Sequence, residues 1–452
     1  MAVGDGRIEA VGSEAEVARL RGPRTEILGG PQAAILPGFI DAHLHFLALA
    51  RRAAEVDCSE VRSIAGILER LAEAARARPP GAWIRAFGYD EFFLEEKRPP
   101  SVAELDRALP AHPVRLLHRT GHAAVLNGMA LRLVGLRANG VIHEPGPKLS
   151  GKIPGIDPAE LASLASVASQ SLLASGITTF HDPTPDPDGV GARTLRRLVE
   201  SGAIQPRVRV YGSEERFSAQ PSPLDDRFQA RGVKIVVTEE SDGEEIAARV
   251  AVADRSGAQV AIHAVEEGPL VTAIDALRRL GRSRVAAKRH RVEHATLCPP
   301  ALRRELAACG ATVVTHPTFL PRFGEKYRSE LPSEQWPWLY PLRSLLECGV
   351  PIAFGSDAPI VPPRPLENIQ AAVVREPDGS SEAVSVDEAL RLHTTGGARA
   401  AAEEERLGSL ERGRLADAVV LDEDPAEVPA AAISSIQVRA TVIGGRVAWR
   451  RR

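Results

Sequence analysis

Short apolar runs recur along the chain from about residue 157, and stretches with helical spacing fill the gaps between them. The runs at 177–180, 208–211, 233–237, 260–262, 291–292, 312–315 and 351–354 read as buried strands. Residues 243–255, 269–280, 300–309 and 341–348 read as helices between them. Asp157-Pro158-Ala159-Glu160 opens an earlier helix, with Asp as N-cap and Pro at the first helical position. That helix is predicted to stop at Gly176. One further run, Leu36-Pro37-Gly38-Phe39-Ile40-Asp41-Ala42-His43-Leu44-His45-Phe46, reads as a buried strand ending in two histidines. Strands that alternate with helices form parallel βαβ units, and eight of them over this length predict a TIM-like (β/α)8 barrel.

The flanks have a different texture. Ser13-Glu14-Ala15-Glu16 is a capping box for a short helix, and 26–28 reads as a short strand. Near the other end, 416–422 reads as a strand, and Gly444-Gly445 sits between two more as a hairpin signal. Residues 1–35 and 405–452 are therefore expected to form one small β-sandwich, and 36–404 the barrel. Within the barrel, 47–155 reads as an insertion packed over its mouth. It has a helical pattern from Ser63 to Arg78, strands near 83–90 and 114–118, and a helix start at Pro99-Pro100-Ser101.

Composition narrows the function classes. The 452 residues are 44% hydrophobic and 25% charged, ordinary values for a globular α/β protein. A formal net charge of −3 gives no reason to expect nucleic acid or an anionic membrane as partner. No apolar run is long enough to cross a bilayer, and the N-terminus lacks a secretion-signal pattern. The four cysteines are scattered and form no Cys-x-x-Cys pair, which argues against thiolate zinc and a disulfide framework. A cytoplasmic protein acting on a small molecule is expected.

In a (β/α)8 barrel the chemistry sits at the carboxyl ends of the strands. The first strand ends in His43 and His45, two apart and hence on one face of an extended chain. Lys234 lies in the fourth strand, His263 ends the fifth, His294 the sixth and Asp357 the eighth. Four imidazoles and a carboxylate suit zinc or a similar divalent ion. A strand-end histidine taken singly is more often a satisfied core or surface residue. A lysine inside an apolar strand is stranger, because burying an ammonium is costly unless it snorkels to the strand end.

These residues, with Pro37-Gly38-Phe39-Ile40-Asp41 before the His-x-His pair and Leu407-Gly408-Ser409-Leu410-Glu411 with Ala416-Asp417 in the tail, resemble the amidohydrolase superfamily. The segments Arg98-Pro99-Pro100, Glu104-Leu105-Asp106 and Gly121-His122 through Leu131 resemble the insertion of its subgroup containing N-substituted formamide deformylases. The resemblance implies that His43, His45 and Asp357 bind one ion and His263 and His294 a second. Lys234 would be carboxylated, its carbamate bridging the two ions. A hydroxide held between them would attack a carbonyl, and Asp357 would take the proton and return it to the leaving nitrogen. Paired barrels being common in the family, a homodimer is possible. The implied activity is hydrolysis of a non-peptide carbon–nitrogen bond, most simply a linear amide. A one-metal deaminase of a ring amidine and a non-catalytic metal-binding barrel remain as alternatives.

Three positions depart from the family pattern. The chain starts close to Asp5-Gly6-Arg7-Ile8, where relatives have a preceding hairpin. Val237-Thr238-Glu239-Glu240 stands where an Asp-Gly pair is expected. His316, before Pro317, stands where Gln is common; it would polarise the substrate carbonyl or line the pocket. His181 and His122 are candidate substrate contacts, His181 equally a structural hydrogen-bonding residue. His118, His143, His290 and His393 are taken as structural or surface residues.

Overall fold

The computed structural model describes all residues except 24, 31–32, 122, 138, 144–148, 150, 213–225, 376–379 and 452. His122 thus lies outside the described residues. The chain divides into two compact units, Met1–Leu47 with Ala168–Arg452, and Ala48–Val167.

The first unit is built on eight parallel strands: β1 Phe39–Asp41, β2 Ile177–Asp182, β3 Arg207–Gly212, β4 Phe228–Val236, β5 Gln259–Ala264, β6 Arg291–His294, β7 Thr312–Thr315 and β8 Ile352–Phe354. They pair in sequence order from β1 to β8. The ring is completed by backbone bonds between the ends of β1 and β8. Ala42 N–H donates to Phe354 O (3.0 Å), Asp357 N–H to His43 O (2.7 Å) and His45 N–H to Ala358 O (2.7 Å). Every predicted barrel strand is present, most of them longer than the apolar run that announced them. The cause is physical: strands buried on both faces carry polar residues at their ends, which periodicity does not mark.

The same unit carries a four-stranded antiparallel sheet of Ala34–Pro37, Ala418–Leu421, Val438–Ile443 and Arg446–Arg450. The two ends of the chain meet here, Ile35 lying opposite Val420. The single strand read across 36–46 is in fact two. Ala34–Pro37 belongs to this sheet and Phe39–Asp41 to the barrel, with Pro37-Gly38 turning the chain between them. No strand forms at 26–28, where Ile27 is 64% exposed and finds no ladder partner. The capping box at Ser13 forms as expected, with Ser13 N–H donating to Glu16 Oε2 at 2.8 Å.

The second unit is a five-stranded sheet of Val56–Asp57, Ile84–Tyr89, Val114–His118, Ala123–Leu126 and Val141–His143. Its core joins Ile64, Ile67 and Leu71, from one face of the helix Ile64–Arg76, to Ile84, Val114 and Leu116. Ser101 caps the helix Val102–Ala108 through the Glu104 N–H.

Candidate metal centre

His43 and His45 lie just past β1, where the chain is held by its ladder to β8. Asp41 Oδ1 accepts the backbone N–H groups of His43 (3.2 Å) and Ser356 (3.0 Å), which ties the two strand ends together. Burial raises the Asp41 carboxyl to about 6. Gly355 is required at this junction, since a Cβ there would stand 2.7 Å from the His43 backbone nitrogen. Asp357 follows in the left-handed region (φ +58), and so does His294 at the end of β6 (φ +71). Non-glycine residues pay about 1–3 kcal/mol for such backbone. The return is orientation: at His294 it breaks the strand alternation, so that Glu293 and His294, adjacent in sequence, both face His43.

The imidazoles form a cluster. The His43 ring centroid is 5.3 Å from that of His45, 4.9 Å from His294 and 5.1 Å from His316. His263 and His294 are 4.5 Å apart. Asp357 Oδ1 stands 3.2 Å from His45 Nε2 and 3.5 Å from His43 Nε2. Two sets, His43–His45–Asp357 and His43–His294–His316, each bring their candidate ligand atoms within 4.8 Å of one another. Lys234 is buried among these charges. Desolvation lowers its ammonium to about 8, although the Glu293 and Asp357 carboxylates oppose the shift.

Burial favours the neutral form of His43, His294 and His316. It drives His43 and His294 well below the usual histidine range, and Lys234 adds to the effect at both. His316 is also lowered by burial. Burial alone would raise Asp357, but the nearby His45, His43 and His316 outweigh it and hold the carboxyl below its ordinary range. Neutral imidazoles beside a carboxylate are the donor set that binds zinc-like ions.

An outer set of side chains fixes which nitrogen of each ring is free. Glu293 Oε2 accepts from His43 Nδ1 at 2.6 Å. The same carboxylate is gripped by Arg291, Nε to Oε1 at 2.5 Å and Nη2 to Oε2 at 2.9 Å. Arg291 also donates to Ala42 O, Tyr211 Oη and His181 Nδ1. On the other side, Thr184 gives its hydroxyl proton to Asp182 Oδ1 (2.5 Å) and so accepts from His45 Nδ1 (2.7 Å). His43 and His45 therefore each carry Nδ1–H and present an Nε2 lone pair toward Asp357. The buried Nε2 of His43 has no hydrogen-bond partner. A buried polar atom left unpaired costs about 1–3 kcal/mol, and an ion placed there satisfies it. The residues present fit a divalent metal on these grounds.

His43, His45, His294, His316 and Asp357 converge with His263, and Lys234 lies in their field. His181 is fully buried and bonded to Arg291, in the barrel interior. His393 and His290 are held by Ile40 O and Asp254, in structural settings. Glu293, Arg291 and Thr184 were not singled out from the sequence. Arg291 and Glu293 are two apart on a strand, the same spacing that marked His43 and His45, so the signal was present.

The protein-family model described as the amidohydrolase family matches residues 32–448. N-substituted formamide deformylase of Arthrobacter pascens is 29% identical, over 99% of this chain and 94% of that protein. An uncharacterised metal-dependent hydrolase from Pyrococcus horikoshii OT3 superposes with a TM-score of 0.78 at 22% identity, covering 95% of this chain and 94% of that one. A zinc-bound adenosine deaminase from Xanthomonas campestris gives 0.61 at 17% identity, over 98% and 87%. With the strand-end histidines, the carboxylate and the closed ring of parallel strands, this match over most of its length shows that the chain belongs to the amidohydrolase family and is a hydrolase of carbon–nitrogen bonds.

Proposed function

We propose that the protein hydrolyses a linear, non-peptide amide, in the first instance an N-substituted formamide, giving an amine and a carboxylic acid. In this reading His43, His45 and Asp357 would hold one divalent ion and His263 and His294 a second, with Lys234 carboxylated. The observation that carries it is the unpartnered, buried Nε2 of His43, facing Asp357 with its tautomer set by Glu293. When bound, zinc or a similar ion supplies Lewis acidity toward the carbonyl and lowers the pKa of water to ~7.

The side chains do the rest. Asp357, held as a carboxylate, removes a proton from the attacking water and delivers it to the departing nitrogen. Water adds to the carbonyl carbon, the C–N bond breaks, and the proton taken from water leaves on the amine. The amine of Lys234, lowered to about 8, is neutral in part near neutral pH, and the neutral amine is the form that adds carbon dioxide. The described cysteines are free thiols, and no described helix is long and apolar enough to cross a membrane.

The test is a panel of N-formyl and N-acyl amines assayed for amine release, alongside metal analysis of the wild-type protein and of His43→Ala and Asp357→Ala. Amine release and bound metal, both lost in the variants, are expected. Unchanged metal content and turnover in the variants would sink the reading. One ion per chain with an unmodified Lys234 would favour a ring-amidine deaminase, for which the compact His43–His45–Asp357 set would suffice.

A further inference from the structure

We infer that His316 is itself a metal ligand, through Nε2, adding an imidazole to the ion held by His43 or to the one held by His294; this rests on the metal-dependent reading above. His316 Nδ1 lies 3.0 Å from Gly355 O. A carbonyl oxygen only accepts, so Nδ1 carries the proton, and a neutral ring then has its lone pair at Nε2. That nitrogen is fully buried and has no hydrogen-bond partner. The His316 ring lies 4.8 Å from His294, and its ligand atom is within 4.8 Å of those of both His43 and His294. Two nitrogens on one tetrahedral zinc ion stand about 3.4 Å apart, so His316 Nε2 reaches a shared ion by closing on its neighbour through rotation of the rings.

The same tautomer excludes the other chemical role. To polarise a substrate carbonyl, a neutral histidine must donate a hydrogen from the nitrogen that faces the substrate. Here the proton is engaged on Gly355, and Nε2 has none to give. His181 shows the opposite arrangement in the same barrel. Its Nδ1 faces Arg291, which only donates, so its proton sits on Nε2 and that atom cannot bind a metal. An added imidazole makes the site more nitrogen-rich, which favours zinc or cobalt over magnesium or calcium.

The test uses the full chain loaded with zinc or cobalt(II). In wild type, a crystal soaked with zinc should show an ion within about 2.0–2.1 Å of His316 Nε2. An ion held by His43 or His294 but more than 3 Å from His316 overturns the inference and leaves the proposed function standing. A wild-type protein that binds no divalent ion overturns both. In His316→Gln, competition with a chelator should show at least ten-fold weaker binding of one ion, and the visible spectrum of the cobalt form should shift. Unchanged affinity and spectrum in a folded variant would overturn it, whatever happens to turnover. The wild-type crystal keeps the question answerable if the variant does not fold.

Discussion

Polar side chains line the barrel near both ends of its strands, but they are arranged on opposite principles. Toward the amino end of β3, Arg207 is paired with Asp417 through two hydrogen bonds (2.6 and 2.9 Å) and Arg209 with Glu403 through two more (2.5 and 3.0 Å). Both pairs are buried and their hydrogen-bonding atoms are matched to one another. At the carboxyl ends, buried imidazole nitrogens of His43 and His316 have no hydrogen-bond partner, and His294 and Asp357 adopt left-handed backbone. Those two ion pairs are closed without a ligand; the two histidine nitrogens are not. That contrast separates side chains kept for stability from side chains kept for binding.

The comparison is broken most severely at its satisfied end. Arg209→Met should leave Glu403 buried with only the more distant Arg406 nearby, at a cost of about 3–5 kcal/mol in stability. Metal content and turnover per folded molecule should not change. Denaturant melts with metal analysis check this, and a metal-depleted but fully stable variant would contradict the division between the two ends.

Lys234 belongs to the unsatisfied end, and its cost can be read from pH. Its pKa falls from 10.5 in the unfolded chain to about 8 in the native one. Between those values the unfolded chain binds the extra proton, so native stability rises with pH. Below about 8 both states are protonated and the full penalty, about 3 kcal/mol, is present. The metal-free protein should therefore gain stability from pH 8 to 10 relative to Lys234→Met, and the variant should be the more stable of the two at pH 7. Melts of both proteins across that range isolate the lysine from other titrating groups. A wild-type protein that matches Lys234→Met at pH 7 in the presence of bicarbonate and metal would mean the ammonium is gone, as a carbamate requires.

These contrasts explain what was legible in the sequence. The barrel was, because buried strands and amphipathic helices impose different periods and alternate from residue 157 onward. The strand-end position of His43, His45, His263, His294 and Asp357 followed from the same alternation. Three things did not. The division of the chain at Pro37-Gly38 between two sheets is invisible in a continuous apolar run. Nor does periodicity reveal the left-handed turn at His294, which puts two adjacent residues on one side. The tautomer of His316 depends on a backbone carbonyl 39 residues away. Glu293 is the instructive miss: it was not singled out, because a strand pattern assigns it to the face opposite its neighbour His294.

Glu293 therefore offers the finest probe of the comparison, since it joins the two regimes. Its carboxylate is matched by Arg291 as fully as Glu403 is by Arg209, yet its other task is to fix the proton of His43. Glu293→Gln keeps the shape and an acceptor for His43 Nδ1 but removes the charge that makes the imidazole a stronger ligand. Metal affinity should fall by ~10–100-fold, the usual effect of losing such an outer partner. On the His45 side, Thr184→Val removes a neutral acceptor and should fall at the low end of that range. Chelator competition on the purified proteins measures both. Equal affinities in Glu293→Gln and wild type would mean that Arg291 and Glu293 serve only to hold β6 and β1 together, and would move Glu293 to the stability side of the divide.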